Sequence, residues 1–327
     1  MPGTIFDKLF HVFPSKQRPR FFQALGNDGL WYYFLLKGKE DLRLDERIMQ
    51  LFKLINSLFE GNNTMQNLTI RRYPVIPLSP IVGLVGMLNN HETIVKSVRE
   101  YRQDHHIEIN DESNEQRLEM FNDICSQTAA RDLYDIIWLN SESTDNWFDS
   151  RRNFTRSSAV MSMVGHIIGL GDRHLSNILL ERGSSRVVHI DFGDCFEQAM
   201  NRVESAEHVP FRLTRMMINA FCDIGGAKGA FEVTCEQTMQ LLRNNKDGIM
   251  AMLEAFVLDP LAGWSEANRQ LIKSQGEDSI SKIERKLKGF EIDGEFFSTK
   301  EQVNNLIQKA TSCENLSNQY LGWRPFW

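Results

Sequence analysis

The stretch that decides the fold runs over residues 169–194 and reads GLGDRHLSNILLERGSSRVVHIDFGD. It places Asp172 five residues before Asn177, and Asp191 follows Asn177 by fourteen residues. Two short predicted strands, NILL and RVVHID, flank the turn ERGSS and return the chain, so that Asp191 lies beside Asn177. Phosphoryl transfer to a hydroxyl needs a carboxylate at the acceptor and oxygen ligands for a metal on the phosphates. The spacing therefore predicts a phosphotransferase site in which Asn177 and Asp191 bind Mg²⁺, with Mn²⁺ as the alternative.

The histidine of this stretch has an unusual place. His174 follows Asp172 by two residues, whereas in the HRD pattern of ordinary protein kinases the histidine precedes the aspartate. We expect Asp172 to orient the acceptor hydroxyl and take its proton. His174 would stabilise charge on the transferring phosphoryl group or share that proton. A hydrogen bond that only orients the loop is the alternative role for His174.

A phosphate-binding cation is predicted at the end of a strand, in FLLKG. Lys37 occupies that position, with Glu40 beyond the strand and Asp45 or Glu46 on the next helix as partners for its ammonium group. No GxGxxG precedes Lys37 and no GxxxxGK[ST] occurs, which excludes a P-loop ATPase and the usual glycine-rich kinase loop. The polar turn at 15–18 is the candidate phosphate cover.

Composition sets the class of protein. The 327 residues are 42% hydrophobic and 24% charged, which is typical of a globular chain. With 37 basic and 43 acidic residues the net charge is −6, so no nucleic-acid binding is predicted. The five cysteines are widely spaced and contain no CxxC, which indicates a reducing, intracellular compartment without disulfides.

Periodicity predicts a small β-rich unit ahead of a larger helical one. Aromatic runs around GNDG predict a hairpin over 20–37, and apolar residues at helical spacing predict a helix over 41–59. The uncharged run 73–90 is broken by Pro and Gly, and we interpret it as two short buried strands and not a spanning helix. Residues 144–168 predict a helix that is buried at its end. A polar stretch near 265–280 follows the later helices.

These blocks together resemble the phosphatidylinositol 3-kinase-related kinases and, within them, the TOR (target of rapamycin) kinases. The resemblance covers nearly all of the chain and is carried by SKQRPR, LLKGKEDLRLDER, RRYPVIPLS, SAVMSMVGHIIGLGDRHLSN, HIDFGDCFE, VPFRLTRMM and AFVLDPLAGW. The ending ENLSNQYLGWRPFW resembles the FATC segment of these proteins. The resemblance implies an ATP- and Mg²⁺-dependent serine/threonine protein kinase in nutrient and growth signalling.

The implied fold is α+β and bilobal, of the PI3/PI4-kinase type, with a β-rich N-lobe, a larger helical C-lobe and a helical FATC end. The implied bounds are 1–88 for an abbreviated N-lobe, 89–294 for the C-lobe and 295–327 for FATC.

The resemblance also implies a role for each site residue. Ser15 and Leu35 would line the nucleotide, and Lys37 would meet its phosphates beside Glu40 and Asp45. Tyr73 would line the inner pocket, and Leu179 and Ile190 would form its floor. The adenine hinge would be formed by Gly86, Met87 and Leu88, with Thr93 beyond it. Asp172 and His174 would be catalytic, and Asn177 and Asp191 would bind metal.

Departures from the family alter some of these expectations. Met87 stands where TOR kinases usually have Trp, which changes adenine stacking. The polar stretch after Arg102 is shorter than the family insertion that docks a β-propeller subunit, which puts that contact in doubt. The helical-repeat, FAT and rapamycin-binding units have no counterpart here, consistent with a fragment, a reduced paralogue or a misplaced gene start.

Two other functions stay open, a phosphoinositide kinase and a non-catalytic scaffold. Between Phe192 and Val209 the activation loop carries four acidic residues and one arginine, a formal −3 that would repel an anionic headgroup. This favours hydroxyl groups of protein substrates. A complete set of catalytic residue types argues against the scaffold, whereas the abbreviated N-terminus argues for it.

The aromatic end of the chain has two interpretations. Tyr320, Trp323, Phe326 and Trp327 either dock against the large lobe as a hydrophobic plug, which we favour, or enter a membrane interface. We expect protein substrates and TOR-complex subunits as partners. We expect a cytoplasmic location, with peripheral endomembrane contact through the tail and a nuclear pool as alternatives.

Overall fold

The fold is described from a computed structural model, which covers residues 5–6, 11–14, 17–107, 117–197, 206–222, 225–258, 269–291 and 294–327. The predicted phosphate cover is only partly within these ranges, because Ser15 and Lys16 lie outside the described residues. Most of the polar stretch after Arg102 also lies outside them.

The small lobe contains a six-stranded sheet in the order β1-β3-β4-β6-β5, with β2 also paired to β3. Its strands are β1 (Ile5–Phe6), β2 (His11–Val12), β3 (Arg20–Leu25), β4 (Trp31–Gly38), β5 (Val75–Ser79) and β6 (Val82–Gly86). The predicted hairpin is confirmed as the antiparallel pair β3–β4, closed by a hydrogen bond from Gly26 N to Leu30 O of 2.8 Å. The predicted helix is α1 (Arg43–Glu60), which packs on β5.

The run 73–90 forms two strands as predicted, but the prediction that they are buried is wrong. Ile76 and Leu78 of β5 are 43% and 59% exposed. Strand side chains alternate between the two faces of a sheet, and α1 contacts this pair from one side. The other face is therefore left open along β5.

A second sheet of three strands connects the small lobe to the catalytic stretch. It has the order β7 (His91–Thr93), β8 (Ile178–Glu181) and β9 (Val187–His189), all antiparallel. The strands β8 and β9 are those predicted around ERGSS. The segment HETIVKSVREYR has an amphipathic pattern that predicts a helix, but it begins with β7 because its first three residues pair with β8.

The large lobe is helical. Its helices are α2 (Ile94–Asp104), α3 (Arg117–Gln127), α4 (Asp132–Leu139), α5 (Thr144–Ile167), α6 (Arg215–Ala220), α7 (Ala230–Asn244), α8 (Lys246–Leu258) and α9 (Arg269–Lys288). The end of α5, residues 157–167, is buried throughout, as predicted, and α5 makes its main packing contact with α7. The polar stretch near 265–280 is largely helical, since α9 begins at Arg269.

The C-terminal segment contains α10 (Thr299–Thr311), α11 (Cys313–Ser317) and a 3₁₀ turn (Leu321–Trp323). Trp323, Phe326 and Trp327 are all buried, at 0%, 2% and 4% exposure, and belong to the main hydrophobic core. Arg212 stacks on the Trp323 ring, with its guanidinium carbon 4.3 Å from the ring centroid. The predicted hydrophobic plug is therefore confirmed.

Within the described ranges, every helix is too short or too polar to cross a membrane.

Candidate active site

The loop that carries Asp172 and Asn177, which we call the catalytic loop after its predicted role, lies between α5 and β8, and a hydrogen bond joins these two residues. Asp172 has a positive φ of 57°, a conformation that Asp and Asn adopt more readily than most residues. The Nδ2 group of Asn177 donates to the backbone oxygen of Asp172 at 2.9 Å. The backbone N–H of Asn177 donates to His174 O, also at 2.9 Å. The loop is thus closed on itself, with Asn177 6% exposed.

The strands β8 and β9 bring Asp191 to this loop, as the spacing predicted. The N–H of Ile190 donates to Asn177 O at 3.0 Å. Arg173, which is 3% exposed, donates from Nη1 to Ile190 O at 2.8 Å and from Nη2 to Asp191 O. Hydrogen bonds therefore connect the loop of Asp172 and Asn177 to the segment that carries Asp191.

The donor set suits a divalent cation. The Asn177 amide nitrogen is committed to Asp172 O, which leaves the amide oxygen as its ligating atom. Asp191 is exposed, and its carboxylate has a weak internal contact at 3.5 Å from the N–H of Gly193. One amide oxygen and one carboxylate match the few protein ligands that Mg²⁺ takes when phosphates and water complete its shell.

His174 lies beside Asp172 and is neutral near pH 7. Its Nδ1 accepts from Ser176 N at 3.2 Å, so we assign the ring proton to Nε2, which lies 3.8 Å from Asp172 Oδ2. Burial lowers the pKa of His174 below its ordinary value, although the Asp172 carboxylate acts against this shift. A neutral imidazole with its N–H at this end can donate to an oxygen held near Asp172.

The predicted phosphate-binding cation, the Lys37 ammonium group, lies in the small lobe near its predicted acidic partners. Lys37, next to last in β4, forms an ion pair with Glu40 at 3.0 Å. Burial raises the pKa of Asp45 to about 6, while Lys37 lowers it and Asp191 raises it. The Phe192 N–H is 3.5 Å from Asp45 Oδ1, which links α1 to the stretch that carries Asp191. Four of the predicted charged groups therefore influence one another across the cleft.

The predicted adenine hinge joins the two sheets. Gly86 ends β6, and its N–H donates to Pro74 O at 2.7 Å. A Cβ at Gly86 would lie 2.7 Å from the Pro74 ring, so no larger side chain fits there without movement. Met87, 40% exposed, donates from its N–H to Tyr33 O. Leu88 is partly buried against the core.

The remaining predicted pocket residues lie around this hinge. Leu35 of β4 pairs with Val85 of β6, and Leu179 of β8 pairs with Thr93 of β7. Thr93 also caps α2, where its hydroxyl accepts from Lys96 N. The other two predicted pocket residues, Tyr73 and Ile190, are at least partly buried.

Tyr73 is 5% exposed, and burial raises its pKa well above the usual range, with the Asp45 charge as a second cause. Ile190 is partly buried, packed against the core. Ser15, the other predicted wall residue, lies outside the described residues.

The charge of the activation loop needs correction. Glu197 binds Lys286 at 2.7 Å and Lys282 at 3.1 Å, and Glu207 accepts from the N–H of Asp172 at 2.8 Å. Two of the four acidic side chains are therefore engaged in the fold, whereas Glu204 lies outside the described residues. The formal −3 therefore includes the charge of Glu197, which two lysines of α9 neutralise.

Three arginine and tyrosine side chains near the loop were missed by sequence reasoning. Arg173 joins the catalytic loop to Asp191. Arg212 donates to Trp323 O at 2.6 Å, and the hydroxyl of Tyr320 lies 3.1 Å from Asp172 Oδ1. The sequence places Arg173 inside GDRH, which was a usable signal. Arg212 and Tyr320 meet the loop only through tertiary structure.

Comparison with known proteins agrees with this geometry. Residues 31–266 match the family model described as phosphatidylinositol 3- and 4-kinase, and residues 296–327 match the FATC domain. The fold is similar to that of the FAT and kinase domain of CtTel1, with a TM-score of 0.83 and 29% identity. That similarity covers 98% of this chain and 24% of the other.

Curated relatives give the same result. The chain is 43% identical over 367 residues to the target of rapamycin homolog of Caenorhabditis elegans. It is 41% identical over 382 residues to the serine/threonine-protein kinase tor1 of Schizosaccharomyces pombe. Each alignment covers 98% of this chain, which spans 14% and 16% of the length of those two relatives.

Proposed function

Because this chain belongs to the phosphatidylinositol 3- and 4-kinase family and ends in a FATC domain, we propose that it carries the catalytic centre of a TOR-type serine/threonine protein kinase. It would transfer the γ-phosphate of ATP to protein hydroxyls in nutrient and growth signalling. The observation that carries the proposal is the convergence of Asp172, Asn177 and Asp191, which Arg173 holds together through the backbone oxygens of Ile190 and Asp191.

Each side chain has a chemical task in this proposal. Asp172 orients the acceptor hydroxyl and takes its proton as the oxygen attacks phosphorus. His174, neutral and with its N–H toward Asp172, donates to an oxygen of the transferring group. Lys37 binds the phosphates, and Glu40 and Asp45 hold its ammonium group in place.

The metal would be held by Asn177 Oδ1 and the Asp191 carboxylate, and we propose Mg²⁺, with Mn²⁺ as the alternative. A bound divalent cation neutralises phosphate charge as the bond to the leaving group breaks. Positioning these two ligands is the task of the β8–β9 pair and of Arg173, through the contacts to Asn177 O and Asp191 O.

The nucleotide would lie between the small sheet and the β8–β9 pair. We propose Met87 and Leu88, with Gly86, as the adenine hinge. The other walls of the pocket would be formed by Ser15, Leu35, Tyr73, Thr93, Leu179 and Ile190.

Two substitutions test the proposal, and both keep a residue type that tolerates positive φ, since φ is 57° at Asp172 and 61° at Asp191. Asp172→Asn should bind ATP with Mg²⁺ as the parent does, seen as the same shift in unfolding temperature, but lose phosphorylation of protein by a factor on the order of 10³. Asp191→Asn should lose both transfer and the Mg²⁺-dependent part of the shift. Asp149→Asn, on the exposed face of α5, is the control and should change neither.

Failure of ATP binding in Asp172→Asn would contradict the assigned role. A chain that shows no ATP- and Mg²⁺-dependent shift at all would favour the scaffold interpretation.

A lipid kinase is the second candidate, because the matching family model itself describes phosphatidylinositol kinases. The pairing of Glu197 with Lys282 and Lys286 weakens the charge argument against it. The preference for protein substrates therefore depends on similarity to relatives named serine/threonine-protein kinases. Turnover on phosphatidylinositol vesicles that exceeds turnover on protein would reverse the assignment.

Partners and location are part of the proposal. We propose protein substrates, TOR-complex subunits and a cytoplasmic location, with peripheral endomembrane and nuclear pools as alternatives. Burial of Trp323, Phe326 and Trp327 favours a docked tail over a membrane contact through these side chains. Co-sedimentation of the full chain with liposomes tests this preference, and binding that is lost when Trp327 is replaced would contradict it.

A further inference from the structure

The C-terminal segment reaches the proposed catalytic aspartate. The hydroxyl of Tyr320 lies 3.1 Å from Asp172 Oδ1, across 148 residues of sequence. A neutral phenol donates and an ionised carboxylate accepts only, so the proton of this hydrogen bond belongs to Tyr320. Tyr320 is partly buried and packs against the core, which restricts the position of its ring.

The other contacts of Asp172 leave this oxygen to Tyr320. The backbone N–H of Asp172 donates to Glu207. Its second carboxylate oxygen, Oδ2, lies 3.5 Å from Asn177 Nδ2 and 3.8 Å from His174 Nε2. Among the described contacts, the Tyr320 hydroxyl is the one hydrogen-bond donor within 3.2 Å of the carboxylate. It therefore sets the side-chain rotation that determines where Oδ2 points.

A buried arginine holds the tail and the loop together. Arg212 is 3% exposed and donates to Trp323 O at 2.6 Å and to Arg324 O at 2.8 Å in the tail. It also contacts Arg173 O in the catalytic loop at 3.4 Å. The Trp323 N–H in turn donates to Tyr320 O at 2.9 Å. The position of the phenol thus follows from the same contacts that seat the tail.

We propose that Tyr320 is a positioning residue, which orients the Asp172 carboxylate for the acceptor hydroxyl. Tyr320 does not touch the reacting atoms, and it acts through Asp172. A carboxylate oxygen has room for more than one donor, so the phenol leaves Asp172 able to accept the substrate proton. The proposal rests on the proposed function of Asp172.

The test is Tyr320→Phe, which removes the hydroxyl and keeps the ring. Turnover at saturating ATP and protein substrate should fall about tenfold to a hundredfold, as expected for a lost hydrogen bond to a charged group. The KM for ATP and the unfolding temperature should stay within error of the parent, since the pocket and the packing are intact. Tyr101→Phe is the matched control, because it removes a phenol-to-carboxylate contact to Asp135 of 3.2 Å on the α2–α4 face.

A double variant isolates the route of the effect. In an Asp172→Asn background, adding Tyr320→Phe should cause no further loss of the residual turnover, because both changes act on one group. Losses that multiply would overturn the proposal.

Turnover of Tyr320→Phe within twofold of an active parent would also overturn it and leave the proposed function standing. A fall in turnover that matches a fall in unfolding temperature would indicate a structural role and overturn it too. A parent chain without transfer would refute both the proposed function and this inference.

Discussion

Lys37 and Arg173 are cations in the two lobes of the proposed site, and they are held in different ways. The Lys37 side chain is 22% exposed, and its partner Glu40 is 26% exposed. Arg173 is 3% exposed and donates to the backbone oxygens of Gly171, Ile190 and Asp191. A partly exposed ion pair rearranges at little cost, whereas a buried guanidinium with three carbonyl partners is fixed when the protein folds. The catalytic loop is therefore preorganised, while the phosphate end is free to adapt to its ligand.

The difference between the two cations should be clearest when each is replaced by methionine. Arg173→Met should destabilise the fold by about 3 kcal/mol or more, because three buried carbonyl groups lose their donor. Lys37→Met should change the free energy of unfolding by less than about 1 kcal/mol, because its ion pair is partly exposed, yet weaken ATP binding about tenfold or more. Urea unfolding and nucleotide titration of the two variants give both quantities. Equal losses of stability would show that the two cations do not differ as described.

A second pair of substitutions compares a buried carboxylate, Glu291, with an exposed one. Glu291 accepts from His166 at 3.1 Å and from Gln302 at 2.8 Å. His166, Gln302 and Lys286 lower its pKa from 4.5 to about 2, although burial acts in the opposite direction. Because the folded pKa is depressed, the stabilisation is present above about pH 4.5 and is lost as pH falls toward about 2.

Glu291→Gln should therefore cost about 3 kcal/mol near pH 7, and this difference should shrink through that window. Glu284→Gln is the control, because its pair with Lys288 is 45% and 42% exposed. Its cost should stay below about 1 kcal/mol. Urea unfolding at several pH values measures both, and a pH-independent difference for Glu291→Gln would contradict the assigned hydrogen bonds of the Glu291 carboxylate.

The pH dependence of ATP affinity that we expect from Asp45 is a weaker effect. Its pKa, raised to about 6 by burial, means that it holds Lys37 as a carboxylate above that pH and less well below it. The same raised pKa lowers stability as pH rises from about 4 to about 6, because the folded state holds the proton more tightly. ATP affinity should fall severalfold from pH 7.5 to pH 5.5 in the parent.

The affinity of Asp45→Asn should be low throughout and show less of this change. Asp41→Asn is the control. The pKa of Asp41 is lowered, so its ion pair with Arg43 should not change between pH 5.5 and pH 7.5. Nucleotide protonation affects all three proteins equally, so the comparison isolates Asp45. An unchanged pH dependence in Asp45→Asn would contradict its role.

Local patterns predicted the parts of the fold that local energetics control. The hairpin at GNDG, the amphipathic α1 and the β8–β9 pair form as expected because turn chemistry and apolar periodicity act over a few residues. The burial of β5 and the extended start of the segment before α2 were predicted incorrectly. Both depend on which neighbour covers a face or pairs with an edge, and that information is not local.

The residue types and their spacing alone determined that Asp172, Asn177 and Asp191 could act together, since fourteen residues with one turn can return a strand beside its neighbour. The contacts that hold these residues in place form only in the folded protein. Arg173 donates to the backbone oxygen of Ile190, next to β9, and Glu197 forms an ion pair with Lys286 of α9. The Tyr320 hydroxyl contacts Asp172 across 148 residues of sequence. Hydrogen bonds between distant segments carry no periodic signal in a sequence, because they form only after packing has brought those segments together.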